Sequence, residues 1–143
     1  MKALKFNEFL TESFNAETPD GDAFGNFALK LLAARDQAHV FHWQTESFAR
    51  HEALGNFYDV FLENVDVLVE MIMGIKERPV FGEATISIKN YSEGAIAEFF
   101  EAAYELLNDE IKLVIDPMHE EVYDQARLIL ADIDKLKYLF TLS

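Results

Sequence analysis

The stretch from residue 48 to residue 74 reads FARHEALGNFYDVFLENVDVLVEMIMG and shows a strong helical pattern. Apolar side chains recur along it every three or four residues, at Leu54, Tyr58, Phe61, Val65, Leu68 and Ile72. This spacing predicts one helix over about residues 48–73, with Gly74 as its C-terminal cap. The fold therefore has to provide other apolar surfaces that cover this face.

Three further segments show the same period. The first covers about residues 20–45 and starts after Thr18-Pro19, with Thr18 as the N-cap. The second starts at Ser92, and Asp116-Pro117 ends it and caps the last helix. Four helices of about 22–26 residues would each be ~33–39 Å long. Two short breaks and one long connection over residues 75–91 predict an all-α four-helix bundle with a single crossover.

Composition limits the function. The 143 residues are enough for one domain, and they contain 26 Asp and Glu against 12 Lys and Arg, a formal net charge of −14. Such a charge repels nucleic acid and attracts cations, although many acidic proteins are acidic only for solubility. The chain has no cysteine, which excludes disulfides, thiolate zinc sites and a cysteine nucleophile.

The start of the chain is predicted to be separate from the bundle. Residues 1–17 form an amphipathic leader with Lys2 and Lys5 as its basic residues, and residues 18–143 form the helical domain. No stretch has the continuous apolar run of a signal peptide or of a membrane-spanning helix. We therefore expect a soluble, cytoplasmic protein that does not bind membranes.

The acidic side chains of the second helix form a stripe. Asp59, Glu63, Asp66 and Glu70 are four, three and four residues apart, and their direction lies well over 100° from the apolar face. Like charges at this spacing destabilise a helix by a few tenths of a kcal/mol per pair. The stripe is either a solvated acidic face, or a face whose charge is compensated by basic partners or by bound cations.

Histidine placement favours the metal interpretation. Three of the four histidines, His39, His42 and His51, fall within thirteen residues. Imidazole and carboxylate without thiolate suit iron, manganese or zinc. Asp66 and Glu70 lie on one helical face and can converge on one ion. Because that face points away from the core of its own helix, we expect the metal site to lie between two chains.

These residues also carry a family resemblance. Residues 39–43 (HVFHW), 48–52 (FARHE) and 65–70 (VDVLVE) resemble the signature of the Dps-like mini-ferritins, in which H-x-x-H-W precedes a second histidine and then D-x-x-x-E. As in that family, Asp66 follows His51 by fifteen residues. In the last helix, residues 132–136 (DIDKL) resemble the D-x-D-K stretch of the family. The resemblance covers about residues 20–141.

The resemblance implies a ferritin-like four-helix subunit that assembles into a hollow dodecamer. It also implies that Fe(II) is oxidised, preferentially with hydrogen peroxide, and stored inside as ferric mineral. The implied iron ligands are His42 and His51 of one chain with Asp66 and Glu70 of its neighbour, Glu70 being the bridging carboxylate. Trp43 is implied to pack beside the site and to intercept reactive oxidants.

One position departs from the family pattern. The family has a carboxylate four residues after the second histidine, where this chain has Gly55. The second iron position therefore lacks a ligand, and neither Glu52 nor Asn56 points in the direction of the missing group. This departure leaves open a second function, namely a ferritin-like structural or assembly protein with a degenerate, inactive metal site.

The leader has too few basic residues to predict DNA binding. In the family, DNA binding depends on a tail rich in Lys and Arg, whereas Lys2 and Lys5 are here followed by Glu8 and Glu12. With a net charge of −14, we do not expect duplex binding at physiological salt. The leader also resembles those of some tailed-phage proteins, which implies a phage-encoded relative located in the host cytoplasm or the virion.

Overall fold

The chain folds into four α-helices. The computed structural model describes Phe14 and residues 16–143. The helices are α1 (Ala23–Gln44), α2 (Phe48–Ile75), α3 (Glu93–Asn108) and α4 (Glu120–Phe140), and a short 3-10 helix (Glu110–Leu113) follows α3. Two-residue strands, β1 (Ala16–Glu17) and β2 (Thr85–Ile86), pair antiparallel. The all-α prediction is confirmed, while the leader lies outside the described residues except for Phe14 and residues 16–17.

Polar side chains set where three of the helices begin. The Asp22 carboxylate accepts the Gly25 backbone N–H at 2.6 Å, so the prediction of Thr18 as the cap of α1 is wrong. Residues 18–21 instead form a turn in which the Gly21 N–H donates to the Thr18 carbonyl. The hydroxyls of Ser47 and Ser92 cap α2 and α3, the latter as predicted.

Two of the predicted helix ends are wrong. Gly74 lies inside α2, which continues to Ile75 with Lys76 as its cap. The third helix stops at Asn108 after 16 residues, so the four helices are not matched in length. Asp116 accepts the backbone N–H of Met118 in the turn before α4 and does not cap that helix.

The helices pack as a bundle around an aromatic core. Helix α2 packs against α1 and α4, and α3 packs against α4 and α1. The buried ring of Phe99 lies edge-on to four other phenylalanine rings at centroid distances of 5.6–6.3 Å, those of Phe14, Phe41, Phe57 and Phe100. None of the helices in the described part of the chain is long and apolar enough to cross a membrane.

The long connection between α2 and α3 runs along α1, which confirms the predicted crossover. The amide of Gln37 bonds both backbone groups of Lys89, each at 2.8 Å. Two other side chains extend this attachment to both ends of α1, with Asp22 bonding the Val80 N–H and Gln44 bonding the Tyr91 N–H. The connection therefore returns the chain from one end of the bundle to the other.

Arg50 ties together the end of the bundle at which α2 and α3 begin. Its guanidinium donates to the Tyr91 hydroxyl at 2.6 Å, to Glu93 at 2.7 Å and to the Ser143 hydroxyl at 2.8 Å. It also lies 4.6 Å from the centroid of the Phe140 ring. The starts of α2 and α3 and the end of α4 are thus held at one end, next to the turn between α1 and α2.

Candidate metal site on the outer side of α1 and α2

The side chains of His42 and His51 form a stacked pair across the turn between α1 and α2. Their ring centroids are 3.8 Å apart and their planes are within 16° of parallel. The His42 Nδ1 lies 2.7 Å from the His51 carbonyl oxygen, and the His51 Nδ1 lies 2.8 Å from the His42 carbonyl oxygen. Because a carbonyl only accepts, each Nδ1 atom is the donor, and in the neutral form of either ring the lone pair is on Nε2.

The local sequence explains this reciprocal arrangement. Helix α1 ends at Gln44, and three residues later the Ser47 hydroxyl caps α2, so the two antiparallel helices bring His42 opposite His51. The His42 carbonyl lies in the last turn of α1, where carbonyls have no donor within the helix. The ring of His51 supplies that missing donor, so the pair also stabilises the end of α1.

Gly55 makes room for this pair. A Cβ atom at Gly55 would lie 2.9 Å from the Cε1 atom of His42, closer than real Cβ atoms approach. The His42 ring therefore packs directly on the backbone of α2 at the position where the resembled family has a carboxylate. The departure noted in the sequence thus has a physical reason, because any side chain here would have to displace the ring.

The stacked geometry limits how the two imidazoles bind metal. The lone pair of each Nε2 lies in the plane of its ring, and the two planes are nearly parallel. An ion cannot lie in both planes at once, so the pair does not chelate a single ion in this arrangement. His42 and His51 are suited to hold one ion each.

The four predicted acidic residues all face solvent. Asp59, Glu63, Asp66 and Glu70 are exposed, as the helical spacing predicts for a stripe that points away from the core. None of the salt bridges within the described residues involves them. The stripe therefore presents uncompensated carboxylates to whatever approaches this side of α2.

Distance separates the histidines from the acids within one chain. His51 and Asp66 lie on the same helix, fifteen residues apart, which corresponds to about 22 Å along its axis. Bonds from imidazole or carboxylate to a metal are only about 2 Å long. No group of three or more His, Asp or Glu in the described residues could hold a metal ion. The predicted ligands can share an ion only if they come from two chains.

An aromatic cluster continues from the histidine pair. The ring of His39 stacks on Tyr58 at 4.2 Å, and the Tyr58 ring also meets His42 edge-on at 5.5 Å. Trp43, predicted to pack beside the metal, is 68% exposed and contacts His39 at 4.4 Å. The Arg35 guanidinium lies 5.6 Å from the Tyr58 ring. The helical period predicts Tyr58 on the apolar face, and its ring does pack against the core. The period gives no sign of Arg35 except its place one turn before His39.

The comparisons with known proteins establish the family but no activity. The chain belongs to a family of unknown function (DUF5856), whose family model matches residues 42–140. The match starts at His42 and includes α2, α3 and α4, so it contains His51, Asp66 and Glu70. No curated protein and no solved structure matches the chain. The function therefore has to be argued from the site itself.

Proposed function

We propose that this protein is a ferritin-like, Dps-like iron-binding protein that oxidises Fe(II) at a site shared between two chains and stores the iron in an oligomeric shell. The observation that carries the proposal is the pair of reciprocal bonds between the imidazoles and the backbone of His42 and His51. Metal-binding histidines typically donate their other ring N–H to a carbonyl in this way, which fixes the tautomer and the ring orientation. This arrangement supports a role of the pair as metal ligands.

Iron is the substrate in this proposal, and each residue has a defined part. His42 and His51 of one chain bind Fe(II) through Nε2, and Asp66 and Glu70 of the other chain supply carboxylates, with Glu70 bridging. Two Fe(II) ions each give one electron to hydrogen peroxide, whose O–O bond breaks. Two protons are taken up from solvent, and the products are two Fe(III) ions and two water molecules.

The net charge of the chain supports the uptake of iron and argues against DNA binding. A net charge of −14 draws cations toward an assembly of such chains and repels the DNA backbone. We therefore propose a homo-oligomer, dodecameric by resemblance and at least dimeric by the shared site, that takes up divalent metal and does not bind DNA.

The test is anaerobic addition of Fe(II), followed by peroxide, with ferric iron measured by its near-ultraviolet absorbance. We expect stoichiometric oxidation by the wild type and a loss of at least about tenfold in the Glu70→Ala variant, since a bridging ligand is removed. Glu63→Ala is the matched control, because it removes an equally exposed carboxylate of the same stripe and should leave the rate unchanged. Oxidation by the wild type that is no faster than in buffer contradicts the proposal.

A second candidate function is favoured by Gly55. Because the His42 ring occupies the space beside the Gly55 backbone, the family carboxylate is missing and cannot be added without moving the ring. Without that carboxylate the metal site would be inactive, and the protein would then be a ferritin-like structural or assembly protein. Native mass and metal analysis separate the two candidates, since a stable oligomer that neither binds nor oxidises iron supports the structural role.

A further inference from the structure

A polar cavity lies at the end of the bundle where α2 and α3 begin. Its volume is about 730 Å³, within the range of cavities that hold small ligands. The turn between α1 and α2, the last residues of the long connection and the first residue of α3 contribute to its walls, and Arg50 lies among them. None of the proposed metal ligands lines this cavity, so iron chemistry does not account for it.

Hydrogen-bonding side chains form the walls of this cavity. Cavities for small ligands are usually lined mostly by apolar and aromatic side chains. Here each of the described residues in the lining has a polar side chain, and among them Tyr91 alone is aromatic. An apolar ligand would remove these polar groups from water without giving them partners, which is unfavourable. The lining therefore indicates a polar ligand.

Hydrogen bonds within the protein hold these side chains in place. The Gln44 amide donates to the side-chain oxygen of Asn90 at 3.0 Å and accepts the backbone N–H of Tyr91 at 2.6 Å. The side chain of Arg50 is only 15% exposed, and its guanidinium donates to the Tyr91 hydroxyl and to Glu93. Because the lining is already ordered, a ligand loses little free energy in fixing it.

The lining still has both donors and acceptors available. The amide nitrogen of Asn90 and the hydroxyl proton of Tyr91 donate to none of the described residues, although the Asn90 oxygen and the Tyr91 hydroxyl each accept a bond. The Glu46 carboxylate and the second oxygen of Glu93 accept from none of the described residues. A hydroxyl group both donates and accepts, so a ligand rich in hydroxyl groups matches this set.

The charges around the cavity favour a neutral ligand. Arg50 is already paired with Glu93 at 2.7 Å, and Glu46 adds a second carboxylate to the lining. The net charge of −14 also repels phosphate and carboxylate groups. A cationic ligand would satisfy the carboxylates but would offer no acceptor to Asn90 and Tyr91. A neutral ligand that both donates and accepts avoids both conflicts.

We propose that this cavity binds a neutral oligosaccharide through its hydroxyl groups. The Glu46 carboxylate accepts hydrogen bonds from neighbouring sugar hydroxyls, and the Asn90 amide and the Tyr91 hydroxyl donate to sugar oxygens. Gln44 and Arg50 hold Asn90 and Tyr91 in position. The binding site is independent of the proposed metal site, because the two share no residue.

Titration of the isotope-labelled full-length protein with maltotriose, cellotriose and chitotriose, followed by NMR, tests the site. We expect at least one of these sugars to bind with a Kd of about 1 mM, the affinity that about four hydrogen bonds provide. The side-chain amide signals of Gln44 and Asn90 should shift more than those of the other Gln and Asn residues. The absence of saturable binding for all three sugars overturns the proposal, and so does binding that leaves these two signals unchanged.

Glu46→Ala tests the acceptor in the cavity. Glu46 is exposed and bonds none of the described residues, so the fold should be unaffected, which circular dichroism checks. The loss of one hydrogen-bond acceptor should weaken sugar binding about fivefold. Glu52→Ala is the matched control, because it removes an exposed carboxylate near the start of α2 that does not line the cavity. Equal affinities of the two variants for the sugar contradict the proposed contact.

Inorganic phosphate tests the preference for a neutral ligand. If phosphate shifts the Gln44 and Asn90 signals at lower concentration than the sugars do, the cavity is an anion site and the proposal is overturned. We expect phosphate to leave both signals unchanged, because the carboxylates of the lining and the net charge repel it. None of these outcomes depends on iron oxidation, so the sugar site and the proposed function stand or fall separately.

Discussion

The ring of His42 and the bare backbone of Gly55 depend on each other. The ring is held by a 2.7 Å hydrogen bond to the His51 carbonyl. In that position it would clash with the Cβ atom of any side chain at position 55. Glycine inside a helix costs roughly 0.5–1 kcal/mol relative to alanine. The protein accepts this cost at Gly55, where the glycine lets His42 reach its bonded position.

At the residue scale, Gly55→Ala should separate stability from function. The new methyl group forces the His42 ring away from His51, so we expect iron oxidation to fall severalfold even though alanine favours the helix. Gly74→Ala is the control in the same helix, because a Cβ there meets no atom within 4 Å. It should stabilise the protein by about 0.5–1 kcal/mol in urea unfolding and leave oxidation intact. Equal oxidation by both variants would contradict the role of Gly55.

At the scale of elements, local sequence patterns were sufficient to predict helices and one helix cap, but not every helix end or the hydrogen bonds between distant residues. The period of α2 and the cap at Ser92 are local and were predicted correctly. The end of α3 was not, because the spacing of Ile111 and Val114 fits a 3-10 helix as well as an α-helix. The bonds of Arg50 and Gln37 were missed, since their partners lie more than 40 residues away in sequence.

In the candidate site too, local features were predicted and features that depend on tertiary packing were not. The outward direction of Asp66 and Glu70 follows from helical spacing alone and was predicted. The stacking of His42 on His51 was not predicted, because it depends on the geometry of the turn and on the space that Gly55 leaves for the His42 ring. From the sequence alone, Gly55 indicates only a missing ligand. Whether the four predicted ligands meet depends on how two chains pack, which the pattern of one sequence does not contain.

Helix α3 carries an acidic residue whose environment predicts a pH effect. Burial, and then the negative charges of Asp109 and Glu101, raise the pKa of Glu105, whose Oε2 atom is buried without a hydrogen-bond partner. A raised pKa favours folding while the group is protonated, and that contribution is lost as pH rises through the folded-state pKa. At neutral pH the carboxylate is therefore unfavourable in the folded protein.

We expect Glu105→Gln to raise the free energy of unfolding at neutral pH by about 0.5 kcal/mol, the size of like-charge pairs four residues apart. The advantage should disappear at about pH 3, where the carboxyl group is protonated in both states. Urea unfolding at the two pH values measures this. Glu98→Gln is a useful comparison, because that carboxylate pairs with Lys89 and its loss should not stabilise the protein. A gain for Glu105→Gln at both pH values would show that charge is not the cause.

At the scale of the whole molecule, the structure shows where a part of the acidic residues lies. A part of the net charge of −14 is the exposed stripe on α2, and the pair of imidazoles formed by His42 and His51 lies where that helix begins. One chain keeps these two groups about 22 Å apart along the helix, and a second chain can bring them together. The proposed functional unit is therefore at least a dimer with two shared sites.

Complementation between two inactive variants tests the shared sites most directly. One variant carries His42→Ala and His51→Ala, and the other carries Asp66→Ala and Glu70→Ala; each alone should have no site with all its ligands. After the two are unfolded and refolded together, half of the dimers are mixed, and each mixed dimer has one intact site, so about one quarter of the wild-type iron oxidation should return. A mixture as inactive as its components, although mass spectrometry shows mixed dimers, would contradict the shared site.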